Sequence, residues 1–206
     1  MKLSGFVRVL GLCLTALSAA LPVAAQTAPR AEVSGGYQFL NLSVEGEGQS
    51  LGKGWYADVA GNLNRYLGIV FEVGGDYKTI NASEIFLGVR GTAALDLRVH
   101  EFMGGVRVSA RPNATVVPFG QFLVGGANGS AKVTGTATVG GVTLASFSEE
   151  FSGTDFALQV GGGMNLLVTD KVGVRVGMDY LRIFDDEGGG NVFRFGAGIV
   201  LPLSMR

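Results

Sequence analysis

Residues 154–181, Thr-Asp-Phe-Ala-Leu-Gln-Val-Gly-Gly-Gly-Met-Asn-Leu-Leu-Val-Thr-Asp-Lys-Val-Gly-Val-Arg-Val-Gly-Met-Asp-Tyr-Leu, hold two alternating stretches joined by a short turn. A period of two is the period of a β-strand, so each stretch has two faces. One face carries Phe156, Leu158, Val160, Met164 and Leu166, then Val174, Val176, Met178 and Tyr180. The other carries Asp155, Gln159, Asn165, Arg175 and Asp179 among glycines. Alternation does not say which face looks inward, because a soluble barrel with an apolar interior has the same period. The small face decides. A solvent-washed face would carry Lys, Thr and Glu, whereas Ala157, Gly161, Gly163, Gly173 and Gly177 leave room where side chains converge on a narrow lumen. The oily face then meets lipid, and the segment reads as a transmembrane barrel hairpin.

The rest of the chain is consistent with export. Lys2 and Arg8 precede an apolar run over residues 9–21 and a small-residue site at Val23-Ala24-Ala25. That is the pattern of a cleaved secretory signal, expected over residues 1–25. The run is shorter than the roughly 20 residues a helical span needs. Cys13 follows Leu12, where a lipobox needs a small residue, so it reads as part of the signal; residues 26–206 then form the barrel domain and contain no cysteine. No disulfide, thiol nucleophile or cysteine-based metal site is expected. A net charge of -1 gives no argument for a nucleic-acid partner. Glycine, 34 of 206 residues, is more than twice its ordinary share of about 7%. Mean hydropathy is positive at +0.35, yet no helix-length apolar run follows residue 25. Strands apolar on one face reconcile the two.

Eight strands are expected, making an all-β, eight-stranded, antiparallel, up-and-down transmembrane β-barrel. The first, 32–42, opposes Val33, Tyr37 and Phe39 to Glu32, Ser34 and Gln38. The second, 54–63, opposes Trp55, Ala57, Val59 and Leu63 to Tyr56, Asp58 and Asn62; the third, 67–77, opposes Ile69, Phe71, Val73 and Tyr77 to Glu72 and Asp76. In the fourth, 97–109, His100 and Phe102 share a face with Val106 and Val108 if no bulge intervenes. The fifth, 116–125, leaves both facings open, because Val117, Phe119 and Leu123 compete with Val116, Phe122 and Val124. The opening hairpin supplies the sixth and seventh. The eighth, 192–203, opposes Phe193, Phe195, Ile199 and Leu201 to Arg194.

Between these strands the expected connections are 43–53, 64–66, 78–96, 110–115, 126–153, 167–171 and 182–191, alternately long and short. Outer-membrane barrels have short periplasmic turns and longer external loops, and an even strand number puts both ends in the periplasm. The Gly- and Thr-rich stretch 131–143 reads as an external loop or as a hairpin extended above the membrane.

Gly104-Gly-Val-Arg107, Pro118-Phe-Gly-Gln121, Gly161-Gly-Gly163, Asp179-Tyr-Leu-Arg182 and Phe193-Arg-Phe-Gly-Ala-Gly-Ile-Val200 occur in this order. With these motifs the chain resembles the small outer-membrane β-barrel family, related to the OmpA N-terminal barrel and the opacity porins, over residues 31–203. The resemblance implies an integral outer-membrane protein of a Gram-negative-type bacterium, in contact with lipid and lipopolysaccharide, inserted by the barrel-insertion machinery and presenting an extracellular ligand surface on its loops. It also implies a lumen charge network in which Arg107, Arg175 and Arg194 are the cations. Members of that group end on an aromatic residue, whereas this chain ends Leu203-Ser-Met-Arg206, and no cell-wall-binding domain is expected after the barrel.

The inward charges expected from strand facing are Glu72, Asp76, Arg107, Asp155, Arg175, Asp179 and Arg194. In a lumen just wide enough to be filled by side chains they must pair, either as a polar plug that sets register or as a gate for small solutes. An aromatic girdle is expected from Tyr37, Phe39, Trp55, Tyr66, Phe71, Tyr77, Phe156, Tyr180, Phe193 and Phe195. The single histidine, His100, is followed by Glu101 and Phe102, so Phe102 stands where a deacylase-like site would place its serine, two residues on. It is expected at the membrane interface. Asp185-Asp186-Glu187 before a glycine run lacks the alternate-ligand order of a calcium loop, and neither Gly161-Gly-Gly163 nor Gly188-Gly-Gly190 continues as a phosphate loop. Asn41, Asn81, Asn113 and Asn128 fit the glycosylation triplet but carry no function. No catalytic residue, cofactor or metal is expected. The leading expectation is a structural or surface-interaction role, ahead of a narrow porin-like channel and a lipid-modifying enzyme.

Overall fold

The computed structural model describes residues 28–44, 47–86, 89–111, 115–140, 142–184 and 190–203; side chains of 40–52 and 85–89 are not described. The expected signal peptide, Asn113, the acidic run Asp185-Asp186-Glu187 and the last three residues lie outside these. Eight strands follow in chain order: β1 (Ala31–Val44), β2 (Glu47–Asn62), β3 (Leu67–Phe86), β4 (Val89–Ser109), β5 (Val116–Val139), β6 (Val142–Thr169), β7 (Val172–Phe184) and β8 (Gly190–Leu203). Each pairs antiparallel with the next, and β1 with β8 closes the barrel. Ala31 pairs with both Gly61 and Leu203, so the first and last strands meet at one rim. Closure leaves the membrane segment no unpaired edge, which is what lets a sheet cross lipid.

The facings read from the sequence hold for β1, β2, β3, β6, β7 and β8. Tyr37 is 75% exposed and Phe71 67%, while Asp58, Glu72, Arg175 and Arg194 are buried. The two open cases close as well. Neither the β3–β4 nor the β4–β5 register shifts, so His100, Phe102, Val106 and Val108 share the outer face and Glu101, Met103 and Arg107 point inward. On β5, Phe122 and Val124 face lipid, and Val117, Phe119, Gln121 and Leu123 fill the interior. Period alone left this strand undecided because both its faces are apolar. Register decides it: Gln121 stands opposite Arg107, and directly opposed residues share a face.

The expected long connections are corrected. Most of 43–53, 78–96 and 126–153 is strand, with the strand ends Phe86 and Val89, and Val139 and Val142, paired to each other, while 182–184 and 190–191 extend β7 and β8. β5 has 24 residues and β6 has 28, against the roughly 9–11 a membrane-spanning strand needs. Among the described residues β3 pairs with β2 only up to Tyr77, and β6 with β7 only from Phe156 downward. Above those points β3, β4, β5 and β6 continue as a four-stranded sheet projecting from the barrel.

This projection inverts the membrane pattern. Along the outer face of β4, Val108, Val106 and Phe102 give way to His100, Arg98, Asp96 and Thr92. On β5, Phe122 and Val124 give way to Asn128, Ser130, Lys132, Thr134 and Thr136; on β6, Val160 and Phe156 give way to Thr154, Ser152 and Glu150. Cross-strand polar contacts tie this outer surface, with Thr79 Oγ1 donating to Asp96 Oδ1 at 2.6 Å and Thr92 Oγ1 meeting Thr136 Oγ1 at 2.6 Å. Apolar residues move to the inner side, among them Ile80, Leu95, Leu97, Val133 and Phe151. A face pointing at lipid must be apolar and one pointing at water polar, so the switch marks the membrane boundary. For 131–143 the hairpin extended above the membrane is the alternative that holds; elsewhere the loop reading came from Thr, Ser and Gly content that resembles turn composition, although these residues alternate as strands do.

Candidate functional site in the barrel lumen

Inward glycines make space for large side chains from neighbouring strands. A Cβ on Gly161 would collide with the Asp179 side chain and lie 2.6 Å from the Met178 carbonyl oxygen, and one on Gly163 would lie 3.0 Å from the Phe119 ring. The space is taken by a charge cluster centred on Asp58. Arg107 Nη1 lies 3.1 Å from Asp58 Oδ1, and Arg175 Nη1 pairs with Oδ2 of the same carboxylate. The Ser34 hydroxyl donates to Asp58 and accepts from Arg175 Nη1 at 2.6 Å. Side-chain amides take further donors: Arg107 Nη2 reaches Gln121 Oε1 at 2.7 Å, and Arg175 Nε reaches Asn165 Oδ1 at 2.8 Å. Both guanidinium carbons lie 4.8 Å from the centroid of the Phe119 ring, a cation–π contact worth about 0.5–2 kcal/mol each.

Two further layers flank this centre. Toward the rim where the chain enters, Glu32 accepts from Arg111 Nη2 at 2.7 Å and Asn62 Nδ2 at 3.2 Å, and lies 3.6 Å from Arg175 Nη2. On the other side Arg194 bridges Glu72, at 2.9 Å, and Glu101. Gln159 Nε2 donates to Glu72 at 3.1 Å, and Gln38 Nε2 to Asp76 Oδ2 at 2.7 Å. The space left at the centre is about 20 Å³, between Tyr56, Asp58, Phe119 and Arg194, room for about one water. An apolar layer formed by Val70, Met103, Leu123, Leu181 and Val192 lies within the same lumen. Beyond it, the outer half opens as a cup of about 420 Å³ lined by Leu97, Val99, Phe151, Leu181, Ile183 and Val192, with Glu101 also in its wall.

Of the seven charges expected in the lumen, Glu72, Asp76, Arg107, Arg175 and Arg194 are buried in this arrangement. Asp179 is half-buried and accepts from Gln121 Nε2 at 3.0 Å. Asp155 shares their side of β6 but enters none of the ion pairs among the described residues. Sequence reasoning placed Asp58 and Glu32 on the inward face without seeing that they hold the arginines, and it did not place Glu101 inside at all. The signal for Glu101 was its even spacing from Met103 and Arg107, which puts all three on one face, hidden by the uncertain facing of that strand.

Of the expected girdle residues, Tyr37, Phe39, Trp55, Phe71, Tyr77, Phe156, Phe193 and Phe195 are exposed on the outer wall and Tyr180 is half-buried there. They sit within the lengthened strands rather than at strand ends. Tyr66 occupies the turn between β2 and β3. His100 is on the same wall, with its Nε2 3.1 Å from the Tyr77 hydroxyl and the two rings edge to face; Trp55 Nε1 lies 3.4 Å from that hydroxyl. Among the described residues no group of three or more His, Cys, Asp or Glu side chains has the arrangement of a metal site.

A closed ring of eight antiparallel strands, apolar outside and ion-paired within, defines the small integral β-barrels of the Gram-negative outer membrane. The chain belongs to the outer membrane protein beta-barrel domain family, whose model matches residues 10–200. Comparison with curated protein sequences gives no match. Among solved structures, Ail, the attachment invasion locus protein of Yersinia pestis, is 18% identical with a TM-score of 0.55, covering 84% of this chain and 98% of Ail. Ail in complex with the heparin analogue sucrose octasulfate is similar at 16% identity, with a TM-score of 0.56 over 84% of this chain and 98% of that one. Neisserial surface protein A, of Neisseria, is 13% identical with a TM-score of 0.55, covering 86% of this chain and all of its own.

Proposed function

We propose that this protein is a non-catalytic outer-membrane surface protein: a rigid, plugged barrel that carries a projecting sheet as its interaction surface. The observation that carries this reading is the closure of the mid-lumen to about 20 Å³ by the Asp58, Arg107, Arg175 and Phe119 cluster. A hydrated ion does not pass such a space, so the lumen supports the plug over the gate. The working surface is the hydroxyl-rich outer face of β3 to β6 above the membrane, with Arg90, Arg98 and Lys132 available to an anionic partner. Binding surfaces on rigid scaffolds are the common arrangement, and the heparin analogue bound to Ail concerns a barrel of the same fold. The non-catalytic part rests on His100, which faces the outside of the barrel against Tyr77 and so lies away from the carboxylates of the lumen. The aromatic belt and the lipid-facing wall would contact outer-leaflet lipid and lipopolysaccharide.

Reconstitution into planar bilayers tests this reading. The folded protein should be electrically silent while retaining its resistance to denaturation. Stable single-channel conductance by the wild-type chain would establish the narrow-porin reading instead.

A further inference from the structure

The outer cup does not belong to the plug, and its chemistry differs. Its walls are apolar, from Leu97 and Val99 on β4 across to Leu181 and Ile183 on β7 and Val192 on β8. A volume of about 420 Å³ lies in the range of roughly 300–1,000 Å³ typical of small-molecule sites. One acidic residue, Glu101, stands in this otherwise oily wall. Its Oε2 is held by Arg194, whereas Oε1 is buried with no hydrogen-bond partner among the described residues. The neighbouring inward residue of β3, Asp76, is in the same condition: Oδ2 accepts from Gln38 and Oδ1 has no partner. This layer therefore holds three carboxylates, Glu72, Asp76 and Glu101, around the single guanidinium of Arg194. Acceptors and negative charge are in excess: the oxygens Glu101 Oε1 and Asp76 Oδ1 have no donor, against one N–H of the layer, Arg194 Nε, that has no acceptor among the described residues.

We infer that the cup is a binding site for a small hydrophobic amine, the alkyl or aryl body against the apolar walls and the ammonium donating to Glu101. An ammonium supplies three donors and one positive charge, which match the surplus acceptors and the surplus negative charge. A fatty acid of equal size would bring a fourth carboxylate to the same place, and an alcohol would bring one donor without the charge. Burial of an acceptor without a partner is unfavourable, so occupancy relieves a cost already present in the empty protein. Arg98 also borders the cup, but its side chain is exposed at the rim, where water screens it.

The test uses the refolded, isotope-labelled protein in phosphatidylcholine nanodiscs, titrated with hexylamine, hexanol and hexanoate, with empty nanodiscs correcting for partition into lipid. Hexylamine should shift the backbone amide signals of Leu97, Leu181 and Val192 saturably, bind at least tenfold tighter than hexanol, and leave hexanoate without a saturable effect. Gly129→Phe fills the cup from a position where an added Cβ meets nothing within 4 Å, so it should fold normally and abolish the shifts. Glu101→Gln should reduce hexylamine to the affinity of hexanol. If that variant does not fold, Gly129→Phe and the three-ligand comparison still decide. Absence of saturable hexylamine binding, equal binding of hexanoate, or binding that survives Gly129→Phe overturns the inference. A conductance experiment does not bear on it, so the plug and the cup stand or fall separately.

Discussion

Replacing Asp58 with asparagine tests whether the central cluster holds the barrel in register. The substitution keeps the side-chain volume but removes the charge and turns one acceptor oxygen into a donor. Arg107 and Arg175 both lose their shared carboxylate, and Ser34 loses its acceptor. Each arginine keeps something: Arg107 its Gln121 bonds, Arg175 its Asn165 bond and Glu32 at 3.6 Å, and both the Phe119 ring. Removing one partner of a buried pair costs about 3–5 kcal/mol. The two pairs share one anion and the retained contacts compensate partly, so the expected loss is that of one pair, about 3–5 kcal/mol, rather than twice that. At 1.4 kcal/mol per factor of ten, the folding constant falls by roughly two to three and a half decades. Equilibrium unfolding by guanidinium in lipid vesicles, followed by tryptophan emission and by the folded band in unheated gels, measures it. The combined variant Asp58→Leu, Arg107→Met, Arg175→Met should be less destabilised than Asp58→Asn, because no charge is left buried without a partner. A loss below about 1 kcal/mol in Asp58→Asn, or a triple variant worse than the single one, would refute the argument that unpaired buried charge is what matters here.

Four other outcomes follow from the same geometry. Arg175→Met should lower unfolding stability by a few kcal/mol, within the roughly 3–5 kcal/mol of a broken buried pair, without raising conductance in planar bilayers; a large rise would mean the cluster is a gate. Gly163→Leu, which drives a side chain into the Phe119 ring and the β7 backbone, should cost at least the roughly 1–3 kcal/mol of overpacking, while Gly153→Leu, with open space at its Cβ, should be near neutral in the same unfolding assay. Val176→Arg on the lipid face should cost about 2–4 kcal/mol, and Thr92→Arg on the projecting sheet about zero; similar losses at both would deny the membrane boundary drawn between them. Trp55, the single tryptophan, should be quenched more strongly by lipids brominated near the headgroup than by lipids brominated near the chain end, since its indole meets Tyr77 beside His100 in the belt.

How far the lumen could be read in advance depended on how sharply each strand's two faces differed. In β7 and β8 the contrast is steep: Val174, Val176 and Met178 against Arg175, Phe193 and Phe195 against Arg194. Those strands could be oriented from period alone. In β5, Val117, Phe119 and Leu123 are as apolar as Phe122 and Val124, so no local property separates them. The inner set serves two layers: Leu123 joins the apolar layer with Val70 and Met103, and the Phe119 ring lies against the Arg107 and Arg175 guanidiniums. The projecting sheet misled for the opposite reason, since Thr, Ser and Gly serve equally as turn residues and as the wet face of a strand.

The order of residues by itself determined that this chain would close as an eight-stranded barrel, because period-two alternation with one oily face cannot be satisfied in lipid by any open sheet. It also placed Arg175 and Arg194 on the inward side, because an arginine among lipid-facing valines and phenylalanines has only one side on which to lie; Arg107, on a strand whose facing was open, and Arg111, its side chain buried against Glu32, needed the structure. Tertiary structure alone decided which carboxylates hold them. Asp58 meets Arg107 across 49 positions and Arg175 across 117, distances in sequence that barrel closure and register turn into contact. It alone decided, too, where the polar and apolar faces exchange, because that point is set where β2 stops pairing with β3 and β6 with β7, a property of strand pairing around the ring rather than of any one strand.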